Sequence, residues 1–215
     1  MTPEEVGCFL SHRKCWERIV SGPDAYGCVF EDDMLIAKEA ALFLGEDTGW
    51  ILADADIIKI ETVGGKVWLD RAVSPLPGAF RLALLRSFQW GSGGYILSRV
   101  AAERLLAVTR VFSDAVDHVK FNPACGIAGT LKSYQVIPAL CIQTQAFYPP
   151  GSSLIETPAL AMHSAPRFPD DLVNRPWLVR KGLYAFRQVA HKLRRHWRTE
   201  IVFADQPSNF GHEQA

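Results

Sequence analysis

Three consecutive acids, Glu31, Asp32 and Asp33, follow directly on the short apolar run Cys28, Val29 and Phe30. A buried strand that ends in clustered carboxylates needs positive charge or hydrogen-bond donors beside it, because like charges a few ångströms apart raise one another's pKa. In an extended backbone Glu31 and Asp33 point to one side and Asp32 to the other. Two carboxylates can then share a divalent ion while the third holds a neighbouring hydroxyl. Hard cations such as Mg²⁺ or Mn²⁺ suit such oxygen ligands. Surface acids are the rule, so an isolated triplet reads as a solvated turn unless other residues join it.

Gln89 to Ser98 is the second informative stretch, with Gly91, Gly93 and Gly94 ahead of the apolar Tyr95, Ile96 and Leu97. Glycines at such density let a backbone approach a ligand closely, or form a bulged turn. They do not make a phosphate loop, since no Gly-Lys-Ser/Thr is present and the glycines precede the strand. Further on stand Asp114, Asp117 and His118. Sequence neighbours do not face one another in regular structure, so Asp117 and His118 are not an acid/base pair. His12 reads as a polar or core histidine and His163 as a loop histidine. The five cysteines, Cys8, Cys15, Cys28, Cys125 and Cys141, show no C-x-x-C or Cys/His ligand spacing, and as small core residues they suit a reducing cytosol.

The elements that must position these groups are legible in outline. Thr2 to Val20 reads as a helix with Thr2 as N-cap, Pro3 at the first position and Glu5 closing a capping box. Val6, Phe9, Leu10, Trp16 and Ile19 supply its buried face. Lys38 to Leu44 reads as a short helix, and Asp56 to Ile60 as a mostly buried parallel strand. Val63 to Leu69 and Phe80 to Leu85 follow as strands around a Pro/Gly turn at Ser74 to Gly78. Ser98 caps a helix from Arg99 to Val108, and Tyr134 to Ile142 is a strand broken by Pro138. From Thr144 the chain is loop-like and proline-rich. A helix from about Pro176 to Arg198 then carries an apolar stripe of Val179, Leu183, Phe186, Ala190, Leu193 and Trp197.

At 215 residues, with 48% hydrophobic and 21% charged, the chain suits a globular protein with a real core. Its net charge is zero, but Arg167 to Arg198 holds nine basic residues against two acids, leaving 14 basic and 21 acidic residues elsewhere. A basic amphipathic helix of this kind either packs on a core with a solvated basic face or lies on an anionic membrane surface, and the charge excess favours the membrane. Aromatics interleaved for nucleic-acid binding are not evident. The amino terminus lacks the pattern of a signal peptide, and no run approaches the roughly 18 apolar residues of a membrane span.

Taken in order, Thr2-Pro-Glu-Glu-Val-Gly-Cys-Phe-Leu-Ser-His12, Glu31-Asp32-Asp33, Gly91-x-Gly-Gly-Tyr95 with Ser98, Ala101 and Ala102, Asp117, and Ile137-Pro-Ala-Leu-x-x-Gln143 resemble glycosyltransferase family 25, the lipopolysaccharide core sugar transferases. The resemblance runs from about Thr2 to Gln143. It implies a three-layer α/β fold of the GT-A type and inverting transfer of a hexose, galactose or glucose, from a UDP-sugar to a lipopolysaccharide or other saccharide acceptor. It further implies Mn²⁺ or Mg²⁺ held by Glu31 and Asp33, with Asp33 the direct ligand. Asp32, Gly91, Gly93 and Gly94 would lie at the donor, and Asp117, with Asp114 as rival, would be the base. The family's usual opening hydrophobic strand segment, which helps hold uridine, is not found ahead of Thr2. Residues 1–145 are then a shortened catalytic domain, 146–175 a proline-rich loop, 176–200 the basic helix and 201–215 a disordered tail. A cytoplasmic enzyme, peripheral on the inner membrane face, is expected. The alternative is an inactive remnant that binds saccharide or membrane, and a nucleotidyl or phosphoryl transferase is disfavoured by the missing phosphate loop.

Overall fold

The computed structural model describes residues 1–148, 186–194 and 196–205. Helix α1 (Pro3–Ser21) starts as its sequence dictates: the Thr2 hydroxyl accepts from the Glu5 N–H, and the Glu5 carboxylate accepts from the Thr2 N–H. This satisfies donors that a helix start otherwise leaves unpaired. Phe9, His12 and Trp16 form its buried face. After α1 the chain enters β1 (Tyr26–Phe30), then β2 (Met34–Ile36), a 3₁₀ turn (Lys38–Leu42), β3 (Ile57–Lys59), β4 (Glu61–Thr62), β5 (Lys66–Pro75), β6 (Arg81–Leu85) and β7 (Gly94–Ser98). Helices α2 (Arg99–Val108) and α3 (Val116–Phe121) follow, then β8 (Ser133–Ile137), β9 (Cys141–Gln143) and the single turn α4 (Thr144–Phe147). Ser98 caps α2 by accepting from the Ala101 N–H.

Seven strands form one mixed sheet in the order β1-β7-β3-β8-β6-β5-β10, where β10 is Trp197–Glu200, and β2-β9-β4 form a second, three-stranded sheet. The expectation of a parallel second strand holds on one side only. β3 is parallel to β8 but antiparallel to β7, because β7 is fed from the sheet's antiparallel half without a helical crossover. Burial on both faces is what the apolar runs require. Ile57, Tyr95 and Leu97 face one core with Phe9, Trp16, Ala101 and Leu105, whereas Ile58, Ile60 and Ile96 face a second with Phe43, Phe80 and Val136. Helices α1 to α3 thus cover one face of the large sheet.

Three expectations need correction. The acid triplet does not extend β1: the strand ends at Phe30, and Asp32 and Asp33 form a turn into β2, so strand alternation does not set their directions. The long basic helix ends early. Its described helical part is 186–193, and Trp197–Glu200 pairs antiparallel with Leu69–Lys66 of β5, where the Trp197 indole also donates to the Asp70 carbonyl. Pairing covers what would otherwise be an open sheet edge, which outweighs helix continuation. Finally, the chain beyond Glu200 is not a loose tail from its first residue: Ile201 and Phe203 are buried, and Ala139 and Phe203 form a parallel bridge. Most of the 146–175 segment, His163 and residues 206–215 lie outside the described residues.

Candidate active site

The carboxylates of Glu31, Glu61 and Asp117 come from three distant segments and meet around one buried region. Glu31, just past β1, is held by its main chain, whose N–H donates to the Gly93 carbonyl at 2.9 Å. Its Oε1 lies 3.0 Å from His12 Nε2 and accepts from the Cys8 thiol at 3.7 Å, and its Oε2 accepts from Gln143 Nε2 at 3.3 Å. Burial alone would raise the Glu31 pKa, but the hydrogen bonds from His12 and Cys8 and the nearby Lys120 bring it below the usual value.

Behind Glu31 runs a chain of hydrogen bonds whose direction follows from the donors available. The Trp16 indole can only donate, and it donates to the Tyr95 hydroxyl at 2.8 Å. The hydroxyl lies 2.8 Å from His12 Nδ1. Burial, with Lys120 nearby, lowers the His12 pKa to about 4, so the ring is neutral at pH 7. A neutral ring that donates from Nε2 to Glu31 must accept at Nδ1, which leaves Tyr95 as donor to His12. Trp16, Tyr95 and His12 thus hold the Glu31 carboxylate in one orientation.

Asp33 sits differently. Its main-chain carbonyl accepts from the Thr144 N–H and hydroxyl, while its Oδ1 is buried with no hydrogen-bond partner among the described residues. Burial, followed by the charges of Glu31 and Asp32, raises its pKa. A buried carboxylate oxygen without a donor, in negative potential, is what a cation ligand looks like before the cation arrives, so Asp33 fits that role. Glu31 meets it at Gln143, whose side chain acts on both acids. Asp32 is exposed.

Lys59 and Glu61, both fully buried, alternate with the apolar Ile58 and Ile60 and so point to one face. Lys59 Nζ donates to Glu61 Oε2 at 2.9 Å and to the Gly91 carbonyl at 2.6 Å, and Gly93 N–H donates to the same Oε2 at 3.0 Å. The pair therefore clamps the glycine stretch. Burial nevertheless outweighs Lys59 and raises the Glu61 pKa, and Glu61 Oε1 has no hydrogen-bond partner among the described residues. The close approach that the glycines permit is to protein side chains. A Cβ on Gly91, whose φ is +91°, would lie 2.5 Å from Glu61 Oε1, one on Gly93 would strike Met34 Sδ, and one on Gly94 would strike Cys141 Sγ.

Asp117, in the first turn of α3, is joined to that stretch: its Oδ2 accepts from Gly91 N–H at 3.3 Å and its Oδ1 from His118 N–H at 2.8 Å. Asp114 is exposed on the preceding loop. Three residues beyond Asp117, Lys120 is fully buried with its Nζ 3.5 Å from the centre of the Tyr95 ring and, among the described residues, no hydrogen-bond partner. Burial and the neighbouring Lys59 lower its pKa to about 7, against the pull of Glu31, Glu61 and Asp117.

Sequence reasoning marked Glu31, Asp33, Asp117 and the glycines, and passed over His12, Lys59, Glu61, Tyr95 and Lys120. Two signals were present. A Lys-x-Glu pair inside an isoleucine run can only be buried as a pair, and Cys8 and His12 stand four apart on one helix, which is a Cys/His ligand spacing and corrects the statement that none exists.

Residues 1–120 match the family described as glycosyltransferase family 25 (LPS biosynthesis protein). The lacto-N-neotetraose biosynthesis glycosyltransferase LgtE of Neisseria meningitidis serogroup B is 37% identical over 150 residues, covering 65% of this chain and 52% of that protein. The lipooligosaccharide biosynthesis protein lex-1 of Haemophilus influenzae is 33% identical over 152 residues, 66% of this chain and 50% of that one. Procollagen galactosyltransferase 1-A of Xenopus laevis is 30% identical over 109 residues, 49% of this chain and 17% of that protein. The chain spans about half the length of the bacterial relatives it matches.

Proposed function

Since this chain belongs to glycosyltransferase family 25, we propose that it transfers galactose or glucose from a UDP-sugar to a saccharide acceptor of the lipooligosaccharide class, on a GT-A-like fold and with inversion. The observation that carries this reading is the convergence of Glu31 and Asp117 on the Gly91 to Gly94 stretch, with Asp33 beside Glu31 and sharing Gln143 with it.

Asp33, with its open Oδ1, would be the direct ligand of Mn²⁺ or Mg²⁺, and Glu31 the second carboxylate, oriented by His12. Such a cation, when bound, neutralises the charge that develops on a departing diphosphate. Inversion needs a single displacement in which the acceptor oxygen bonds to the anomeric carbon as UDP leaves. The acceptor's proton passes to a carboxylate, and Asp117, fixed by Gly91 and His118, takes that role. The glycine stretch, clamped by Lys59 and Glu61, serves as the wall that carries Asp117, with Asp32 exposed at the donor side. In helix 186–193 Phe186 and Leu193 are 70% and 79% exposed beside Arg187, Lys192 and Arg194, the arrangement of a helix on an anionic membrane. Cosedimentation with anionic but not neutral vesicles tests that part.

The decisive assay is UDP release from UDP-galactose and UDP-glucose with Mn²⁺ and a saccharide acceptor. Asp117→Asn should lower kcat about 10²- to 10⁴-fold with donor binding kept. Unchanged turnover in Asp117→Asn and Asp33→Asn would refute the reading. Saccharide binding without turnover, indifferent to chelator, would establish the remnant instead.

A further inference from the structure

Among the described residues, one group of three side chains brings its donor atoms together at metal-ligand spacing, and it is not the acid triplet. Cys8 Sγ, His12 Nε2 and a Glu31 carboxylate oxygen all lie within 4.8 Å of one another. We propose that they form a site for a thiophilic divalent cation of the zinc class, which adjoins the oxygen-ligand position at Asp33 and competes with it for Glu31.

The geometry fits. Ligand atoms about 2.0–2.3 Å from a tetrahedral centre stand roughly 3.3–3.5 Å apart. Here Sγ to Oε1 is 3.7 Å and Nε2 to Oε1 is 3.0 Å, each within a few tenths of an ångström of that spacing, and the third separation, sulfur to ring nitrogen, is no more than 4.8 Å. Cys8 and His12 sit one turn apart on α1 and so share a face of it. The histidine is already neutral and already oriented through its other nitrogen by Tyr95, which Trp16 holds in turn. A metal-binding histidine ordinarily donates its other ring N–H to such a partner, so binding at Nε2 requires the other tautomer of His12. Thiolate and carboxylate together cancel the charge of a divalent ion, and the fourth position stays open.

Binding is balanced as follows. The Cys8 thiol gives its proton to solvent as the metal–sulfur bond forms. The His12 proton moves from Nε2 to Nδ1 and is donated to the Tyr95 oxygen beside the Trp16 donor, and the Tyr95 O–H turns away and gives up its own donation to Nδ1, a cost that the metal–nitrogen bond offsets. Glu31 Oε1 turns to the metal while Oε2 keeps Gln143. The other charged groups acting on this cluster are Lys120, which opposes a cation, and Asp117, which favours one. A sulfur ligand distinguishes the site from the hard-cation position, since Mn²⁺ and Mg²⁺ prefer oxygen.

The test is titration of the full chain, reduced and metal-free, with Co²⁺ and then Zn²⁺. Wild type should bind one Co²⁺ with a near-ultraviolet sulfur-to-cobalt charge-transfer band that Zn²⁺ abolishes. Cys8→Ser should lack the band and bind Zn²⁺ at least tenfold more weakly, while Cys28→Ser, the other exposed cysteine, should keep both. Circular dichroism verifies that both variants, changed at exposed positions, remain folded. Absence of the band in wild type, its persistence in Cys8→Ser, or its loss only in Cys28→Ser overturns the proposal.

Discussion

Lys120→Met should stabilise the protein, and more so at pH 6 than at pH 8. The ammonium is fully buried, has no hydrogen-bond partner among the described residues and is faced by the Tyr95 and Phe121 rings, with burial and the like charge of Lys59 outweighing Glu31, Glu61 and Asp117. Methionine has nearly the same length and keeps the ring contacts. Replacing a poorly compensated buried charge by an apolar side chain of similar volume typically gains about 1–4 kcal/mol. The pH dependence gives a second, independent check. The group titrates near 7 in the folded chain and at 10.5 when exposed. Below pH 7 it is charged in both states and the folded state carries the whole desolvation cost. Between the two values the unfolded chain binds the extra proton, so stability rises with pH. From pH 6 to pH 8 this contributes on the order of 1 kcal/mol, or a few degrees in Tm for a chain of this size. Urea unfolding of wild type and variant at both pH values reads the difference directly. A wild-type-to-variant gap that does not shrink by roughly that amount on going to pH 8 refutes the reasoning. So does a variant that is less stable at pH 6.

Glu61→Gln leaves Lys59 buried without its counter-ion and should cost about 3–5 kcal/mol, while Lys59→Met with Glu61→Gln should recover much of it. A double-mutant cycle by chemical denaturation measures the coupling. Gly91→Ala forces an L side chain into a positive φ and against Glu61 Oε1, and should destabilise by about 1–3 kcal/mol in thermal unfolding. Because Gly91 N–H also fixes Asp117, the same change should lower kcat more than it raises KM in the UDP-release assay.

Local rules made the starts of α1 and α2 readable in advance. Thr2, Pro3 and Glu5 specify the start of α1 through hydrogen bonds within four residues, and Ser98 does the same for α2. The strand cores at 57–60 and 94–98 followed from apolar runs bounded by acids and glycines. What escaped depends on long-range pairing. Nothing near Trp197 announces that Leu69 will pair with it, so its apolar spacing read as a helix stripe. The glycines at 91, 93 and 94 read as room for a ligand, whereas the room is filled by Glu61, Met34 and Cys141 from elements far along the chain. Lys120 carried no local sign at all, because its burial is fixed by Tyr95, 25 residues upstream.

Calorimetric titration of UDP-hexose into the protein, with and without Mn²⁺, tests the central claim most directly. Saturable binding that requires Mn²⁺ in wild type, and is lost in Asp33→Asn while Asp117→Asn still binds, is the predicted result. Equal binding without the cation, or an Asp33→Asn variant that binds as wild type does, would contradict a donor site built around the carboxylates beyond β1.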